Sequence, residues 1–392
     1  YRLVWGRILF LLLLLSTFFS CILFFIIWST FDNLDFDNRI LLALLSVFSL
    51  QFNANNLMGQ CLYTLRGTPI PFVVRTLVGG LIGIAVTFIS IRYLRIGYLG
   101  FVLGSALNYM FCFFSFIYPL WMKEKLYPRI EISKVRIFKL LKISLPVVPH
   151  ALGFLLLSSS SRIIMALYEI PIEDIGIYSN GYILGDYITI VTTALAFALA
   201  PYMQTTFRSE NYMCYRFLFF LCQSIALVSI FIFCLWMPEI YSILIRNESL
   251  QESMVISQIS CFANCVFPLY VFMSNICFIK KDTMQLLWLV FIPGLLNIIL
   301  LLIFIPLFGY RVAVITTLIS YWTQMFIPFF IRYYKEQISL WLGNRSKLVE
   351  LFLISVFALV TSIILSKYFM AKLSMTLLIM VCLLYTSDAA DE

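Results

Sequence analysis

The chain has 392 residues, 62% hydrophobic, 17% aromatic and only 12% charged, with a mean hydropathy of +0.99, which leaves too little polar surface to coat a soluble globule. A formal charge of +8 would suggest nucleic acid in a soluble protein. In a membrane protein the same basic residues report orientation, so no nucleic-acid partner is expected.

About twelve apolar stretches of about twenty residues follow one another, each long enough to cross a bilayer. They run Ile8 to Thr30, Ile40 to Leu65, Phe72 to Ile91, Tyr98 to Trp121, Leu145 to Tyr168, Ile175 to Tyr202, Phe217 to Trp236, Ser253 to Ile279, Met284 to Leu307, Val312 to Ile331, Val349 to Ser366 and Leu373 to Leu384. The expected fold class is therefore an all-α integral membrane protein. With the first residue placed on the cytoplasmic side, 19 of the 27 basic residues fall in inner connections, as the positive-inside bias requires. Arg92 and Arg95, in an outer turn, are the local exception.

The expected organisation is an incomplete helical bundle over 1–121, a basic cytoplasmic linker over 122–142, a six-helix bundle over 143–335 and a truncated extra helix pair over 336–381. The start at Tyr1 without a methionine suggests missing upstream sequence, and 382–392 reads as a non-native tail. A repeat crosses the linker: Gly97, Tyr98 and Tyr109 recur as Gly309, Tyr310 and Tyr321, a constant shift of 212 residues. Parallel repeats of helical bundles are how many transporters are built.

In the second span, Ser46, Ser49, Asn53, Asn56, Gln60 and Tyr63 follow steps of three and four, which places them on one face of a helix. Uncharged amides and hydroxyls there suit hydrogen bonding to sugar hydroxyls or water, and equally suit interhelical glue. In the fifth span Arg162 follows four serines, and a guanidinium at that depth suits a phosphate or pyrophosphate, with snorkelling to the outer surface as the other reading. Asp186 lies near the middle of the sixth span, where insertion of an acid costs about 3 kcal/mol. Proton exchange or sodium binding, with Tyr178, Tyr182 and Thr193 on a similar face, stands against a protonated carboxyl that holds the bundle together. His150, the only histidine, follows two prolines and is either a pH switch or a solvated interfacial ring.

No metal site is expected, because a single histidine and ten cysteines scattered mostly through apolar spans lack ligand spacing. No catalytic residue is singled out either, since no nucleotide loop or nucleophile elbow occurs. The acidic pair Asp35 and Asp37 sits in an outer loop too short to build a glycosyltransferase site.

The run Leu140 to Gly153 (LLKISLPVVPHALG), followed by Ser160-Ser161-Arg162, Gly176 to Tyr182 (GIYSNGY), Ala200-Pro201-Tyr202 and Asn297 to Tyr310, resembles the polysaccharide flippase family that includes Wzx-type O-antigen translocases. Members often carry an acid where this chain has Ser161. The resemblance implies a fragment of a fourteen-helix, MATE-like fold of two six-helix bundles forming a V, plus two C-terminal helices. It implies a non-enzymatic transporter in the bacterial inner membrane that flips undecaprenyl-pyrophosphate-linked oligosaccharides by alternating access. Expected partners are that substrate, membrane lipids and other polysaccharide-assembly proteins. No cofactor is expected, and coupling to a proton or sodium gradient is left open. Multidrug or peptidoglycan-precursor (lipid II) export, and a membrane polysaccharide polymerase or glycosyltransferase, are the alternatives.

Overall fold

The computed structural model describes residues 2–31, 34–129, 145 and 147–388. Most of the expected linker, from 130 onward, and the last four residues of the expected tail lie outside the described residues. The chain divides into two compact units, Tyr1–Phe138 and Lys139–Glu392. Among the described residues all regular structure is helical, and ten stretches are long and apolar enough to span a bilayer.

The first unit contains α1 (Arg2–Thr30), α2 (Phe36–Gln51), α3 (Ala54–Leu65), α4 (Ile70–Arg92) and α5 (Tyr98–Ile117), which ends in a π-helical turn, Tyr118–Lys123. The second expected span is thus two helices, with the ladder interrupted at Phe52 and Asn53. Tertiary contacts account for the break. The Phe52 ring packs on Phe113 and Phe114 at 5.2 and 5.7 Å. Asn55, fully buried, donates to the Phe113 carbonyl (3.1 Å) and accepts from the Trp121 indole (3.2 Å). Lipid supplies no hydrophobic drive between helices, so close packing of small residues matters more. A Cβ on Gly104 would stand 2.5 Å from the Gly83 carbonyl, so α4 and α5 nearly touch through their backbones.

The second unit contains α6 (Val147–Leu167), α7 (Ile172–Asp186), α8 (Thr189–Arg208), α9 (Tyr212–Leu235), α10 (Met237–Leu244), α11 (Glu248–Gln251), α12 (Met254–Ala263), α13 (Phe267–Lys280), α14 (Thr283–Phe308), α15 (Val312–Trp322), α16 (Ile327–Phe330), α17 (Arg332–Trp341), α18 (Ser346–Leu365) and α19 (Phe369–Asp388). Its aromatic core gathers Tyr215, Phe219, Phe272 and Trp341, with ring centroids 5.0–5.4 Å apart for most pairs. Three expected spans are broken here: the sixth at Tyr187–Ile188, the eighth by a 3-10 turn at Asn264–Val266 and the tenth by one at Thr323–Met325. Pro268 and Pro328 follow the two 3-10 turns and cannot extend the preceding ladder. The break at 323–325 leaves the tenth expected span as two short helices, and of α19, where the twelfth falls, the stretch Phe369–Leu378 is a shorter apolar helix, so ten long stretches stand among the described residues.

The sequence repeat has a conformational counterpart. Gly97 and Gly309 both take positive φ, 57° and 75°, at the tight turns before α5 and α15, a conformation glycine adopts without steric cost.

Candidate functional site

The polar residues of the second unit converge where α7 ends. α7 lies against α12 through Gly181 and Gly185, where a Cβ would come within 2.6 Å of the Ser253 carbonyl and 2.3 Å of the Ser257 carbonyl. At that separation α12 hydroxyls reach α7 carbonyls: Ser257 donates to Gly181 (2.8 Å) and Ser260 to Tyr182 (3.2 Å). The helix then stops at Asp186, whose carbonyl is capped by Thr189 (2.6 Å) and whose carboxylate accepts from Asn264 at 3.2 Å, the first residue of the 3-10 turn after α12. A carboxylate beside unwound backbone and half-helix C-terminal carbonyls is the kind of oxygen-rich environment that holds small cations in membrane transporters. No group of three or more His, Cys, Asp or Glu is arranged for a metal among the described residues.

One turn or more above, Arg162 crosses from α6 to α7. Its Nε donates to Ser179 at 3.1 Å, and the guanidinium lies 5.2 Å from the centre of the Tyr182 ring. Tyr182 stacks on Tyr178 at 6.0 Å. Arg162 acts electrostatically on Asp186, yet no ion pair joins the two among the described residues. Arg162 is half-buried, and the guanidinium has five N–H donors, of which the four on its terminal nitrogens meet no described residue. Tyr178 is buried beside Ser161 and Thr317, without a hydrogen bond of good geometry.

Ser160 and Ser161, before Arg162, meet α14 and α15. Ser160 caps the Leu156 carbonyl and accepts from Asn297 of α14 at 3.1 Å, while Ser161 approaches Thr317 at 3.5 Å. Gly153 and Gly294 bring the two helices together there. Asn264 was not singled out from sequence, and Ser179, Asn297 and Tyr321 entered only through the resemblance and the repeat, not as site residues.

The second-span stripe belongs to the first unit and is not one continuous helical face. Ser46 and Ser49 donate to their own helix, at Leu42 and Leu45 (2.8 and 3.0 Å). Asn53 stands in the break and meets Asn56 only at 3.5 Å, and Asn56, Gln60 and Tyr63 follow on α3, half-buried. The 3.6-residue period fails at Phe52 because the aromatic and Asn55 contacts fix a different backbone. His150, expected as solvated or switching, is buried: it stacks on Tyr270 (5.9 Å), bonds its hydroxyl at 3.0 Å and takes the edge of Phe154.

No family model matches the chain, and no curated protein does. Solved structures do resemble it. An outward-facing multidrug resistance MATE family transporter of the MOP superfamily superposes with a TM-score of 0.65 at 14% identity, covering 84% of this chain and 77% of the other. MATE in the straight conformation gives 0.65 at 15%, covering 86% and 78%. A MOP superfamily transporter from Pyrococcus furiosus, for which reversed polarity of the binding pocket suggests a different function, gives 0.63 at 15%, covering 86% and 79%. The chain is a multi-span membrane protein with the MATE transporter fold.

Proposed function

We propose that this protein is a non-enzymatic transporter that moves a pyrophosphate-linked oligosaccharide on a polyprenyl lipid across the bacterial inner membrane by alternating access. The observation that carries the reading is Arg162. A guanidinium in a membrane helix, held at Nε by Ser179 and over Tyr182 and paired with no carboxylate among the described residues, keeps two planar NH2 groups for a bidentate anion. Tyr178 and Tyr182, both buried, pack behind the guanidinium and hold it towards the anion, and Ser46, Ser49, Asn53, Asn56 and Gln60 are the proposed polar contacts for sugar within the first unit. The polyprenyl tail stays in lipid, so no covalent step is required.

Asp186, at the broken end of α7 with Asn264, is the proposed point of coupling to a proton or sodium gradient. Membrane lipids and other polysaccharide-assembly proteins are the proposed partners. The fold similarity to a multidrug resistance transporter favours drug export as the second reading. Complementation separates them. In a strain lacking its O-antigen flippase, the protein restores surface polysaccharide and clears accumulated lipid-linked units, and Arg162→Ala at equal expression does not. Drug resistance without polysaccharide in any matched sugar background overturns the proposal in favour of drug export.

A further inference from the structure

The two arginines that break the charge asymmetry, Arg92 and Arg95, belong to no part of the proposed transport site. They lie at the end of α4 and in the turn after it, both exposed, and neither makes an ion pair among the described residues. Both line an open groove of about 890 Å³ between α4 and α5. Below them the walls are hydrocarbon, with Ile84, Phe88 and Phe101, and the floor is kept low by Gly80, Gly83 and Gly104. Gly80 has nothing within 4 Å of where a Cβ would stand. From Gly80 to Arg92 is twelve helical residues, about 18 Å, against roughly 15 Å for one leaflet of hydrocarbon. Thr87, Ser105 and Asn108 add three polar side chains along the way.

We propose that this groove binds one phosphate-bearing lipid of the leaflet on the Arg92 side, with its anionic headgroup on the two guanidiniums and a hydrocarbon chain lying along α4 and α5 towards Gly80. Charge and shape both select that occupant. Two exposed cations at a membrane surface, with no ion pair among the described residues, attract anionic headgroups. An apolar channel one leaflet long beneath them accepts a chain and offers a free water-soluble phosphate nothing. The site accounts for arginines on a face where the charge distribution otherwise disfavours them. It does not rest on the transport reading, because Arg162 belongs to the other unit.

The test uses the full chain in nanodiscs of equal phosphatidylglycerol and phosphatidylcholine, with and without a few per cent polyprenyl phosphate, and reads the lipid retained on the protein by native mass spectrometry. Wild type retains phosphatidylglycerol or polyprenyl phosphate over phosphatidylcholine, and whichever dominates identifies the source of the phosphate. Arg92→Gln/Arg95→Gln lowers that preference about thirtyfold. Gly80→Leu fills open space and lowers retention while leaving both arginines in place. In nanodiscs without polyprenyl phosphate, Arg162→Ala leaves phosphatidylglycerol retention unchanged. Equal retention of charged and zwitterionic lipid by wild type, or no change in either groove variant with melting curves intact, overturns the proposal. So does a photo-crosslinker at Ile84 that captures a protein helix in place of lipid.

Discussion

Gly185→Ala is the sharpest test of how the site is held together. The added Cβ would lie 2.3 Å from the Ser257 carbonyl oxygen, 2.8 Å from Ser260 Cβ and 2.9 Å from the Cys261 nitrogen, two of them backbone atoms that no rotamer change removes. Restoring ordinary contact, 3.4 Å or more, means parting α7 and α12 by about 1 Å. That separation weakens the hydrogen bonds from Ser257 to Gly181 and from Ser260 to Tyr182, each worth about 0.6 kcal/mol in a membrane bundle. Overpacking strain adds about 1–3 kcal/mol, so the loss should be about 2–4 kcal/mol. The same helix contains its own control. Gly176 has nothing within 4 Å, so Gly176→Ala should be neutral or stabilising by up to about 1 kcal/mol through helix propensity. Thermal unfolding of the two variants and wild type in one detergent measures the difference. A Gly185→Ala melt as high as that of Gly176→Ala would refute the close approach of α7 and α12, and with it the placement of Asp186 against Asn264.

The remaining expectations concern charge. Asp186→Asn should leave flipping in proteoliposomes indifferent to imposed proton or sodium gradients that change the wild-type rate; a variant that responds to each gradient as wild type does removes Asp186 from coupling. Lys372, buried in α19, pairs with Glu239 of α10 and lies over Trp236. Removing one buried partner costs about 3–5 kcal/mol, so Lys372→Met alone should expose α19 to protease, and adding Glu239→Gln should recover part of the loss. On the first unit, Arg66 makes a two-pronged contact with Glu124 (2.7 and 2.6 Å) and holds its carboxyl below the ordinary value of 4.5. A depressed carboxyl stabilises the fold above its unfolded pKa, and that contribution is lost as pH falls through the folded value. Melting should therefore lose this contribution only below about pH 4.5, and Glu124→Gln should flatten that part of the acid limb.

Span positions were legible in the sequence because hydrophobic length is a direct consequence of bilayer thickness. The paired turns at Gly97 and Gly309 were legible because positive φ selects glycine. Helix breaks were not. The break at Phe52 is fixed by Phe113, Phe114 and Trp121, far along the chain, and Pro268 and Pro328 are compatible with a continuing helix until the 3-10 turns before them are seen. The stripe on the second span failed as a continuous face for that reason, while Asn55, one residue off the period, became the buried anchor. Arg162 and Asp186 stood out because ionised groups are rare at membrane depth. Their partners Ser179 and Asn264 are ordinary polar residues that only tertiary structure brings to them.

The most direct measurement is the flipping rate of a fluorescent polyprenyl-pyrophosphate oligosaccharide in proteoliposomes with wild type, Arg162→Lys and Arg162→Ala. Losing the bidentate, charge-assisted contact costs about 1.5–3 kcal/mol, roughly a ten- to hundredfold effect. The account predicts a fall of that size for lysine and at least as large a fall for alanine, with reconstitution and melting unchanged. Equal rates for wild type and Arg162→Ala, or equal transport of a tailed sugar without the pyrophosphate, would contradict it.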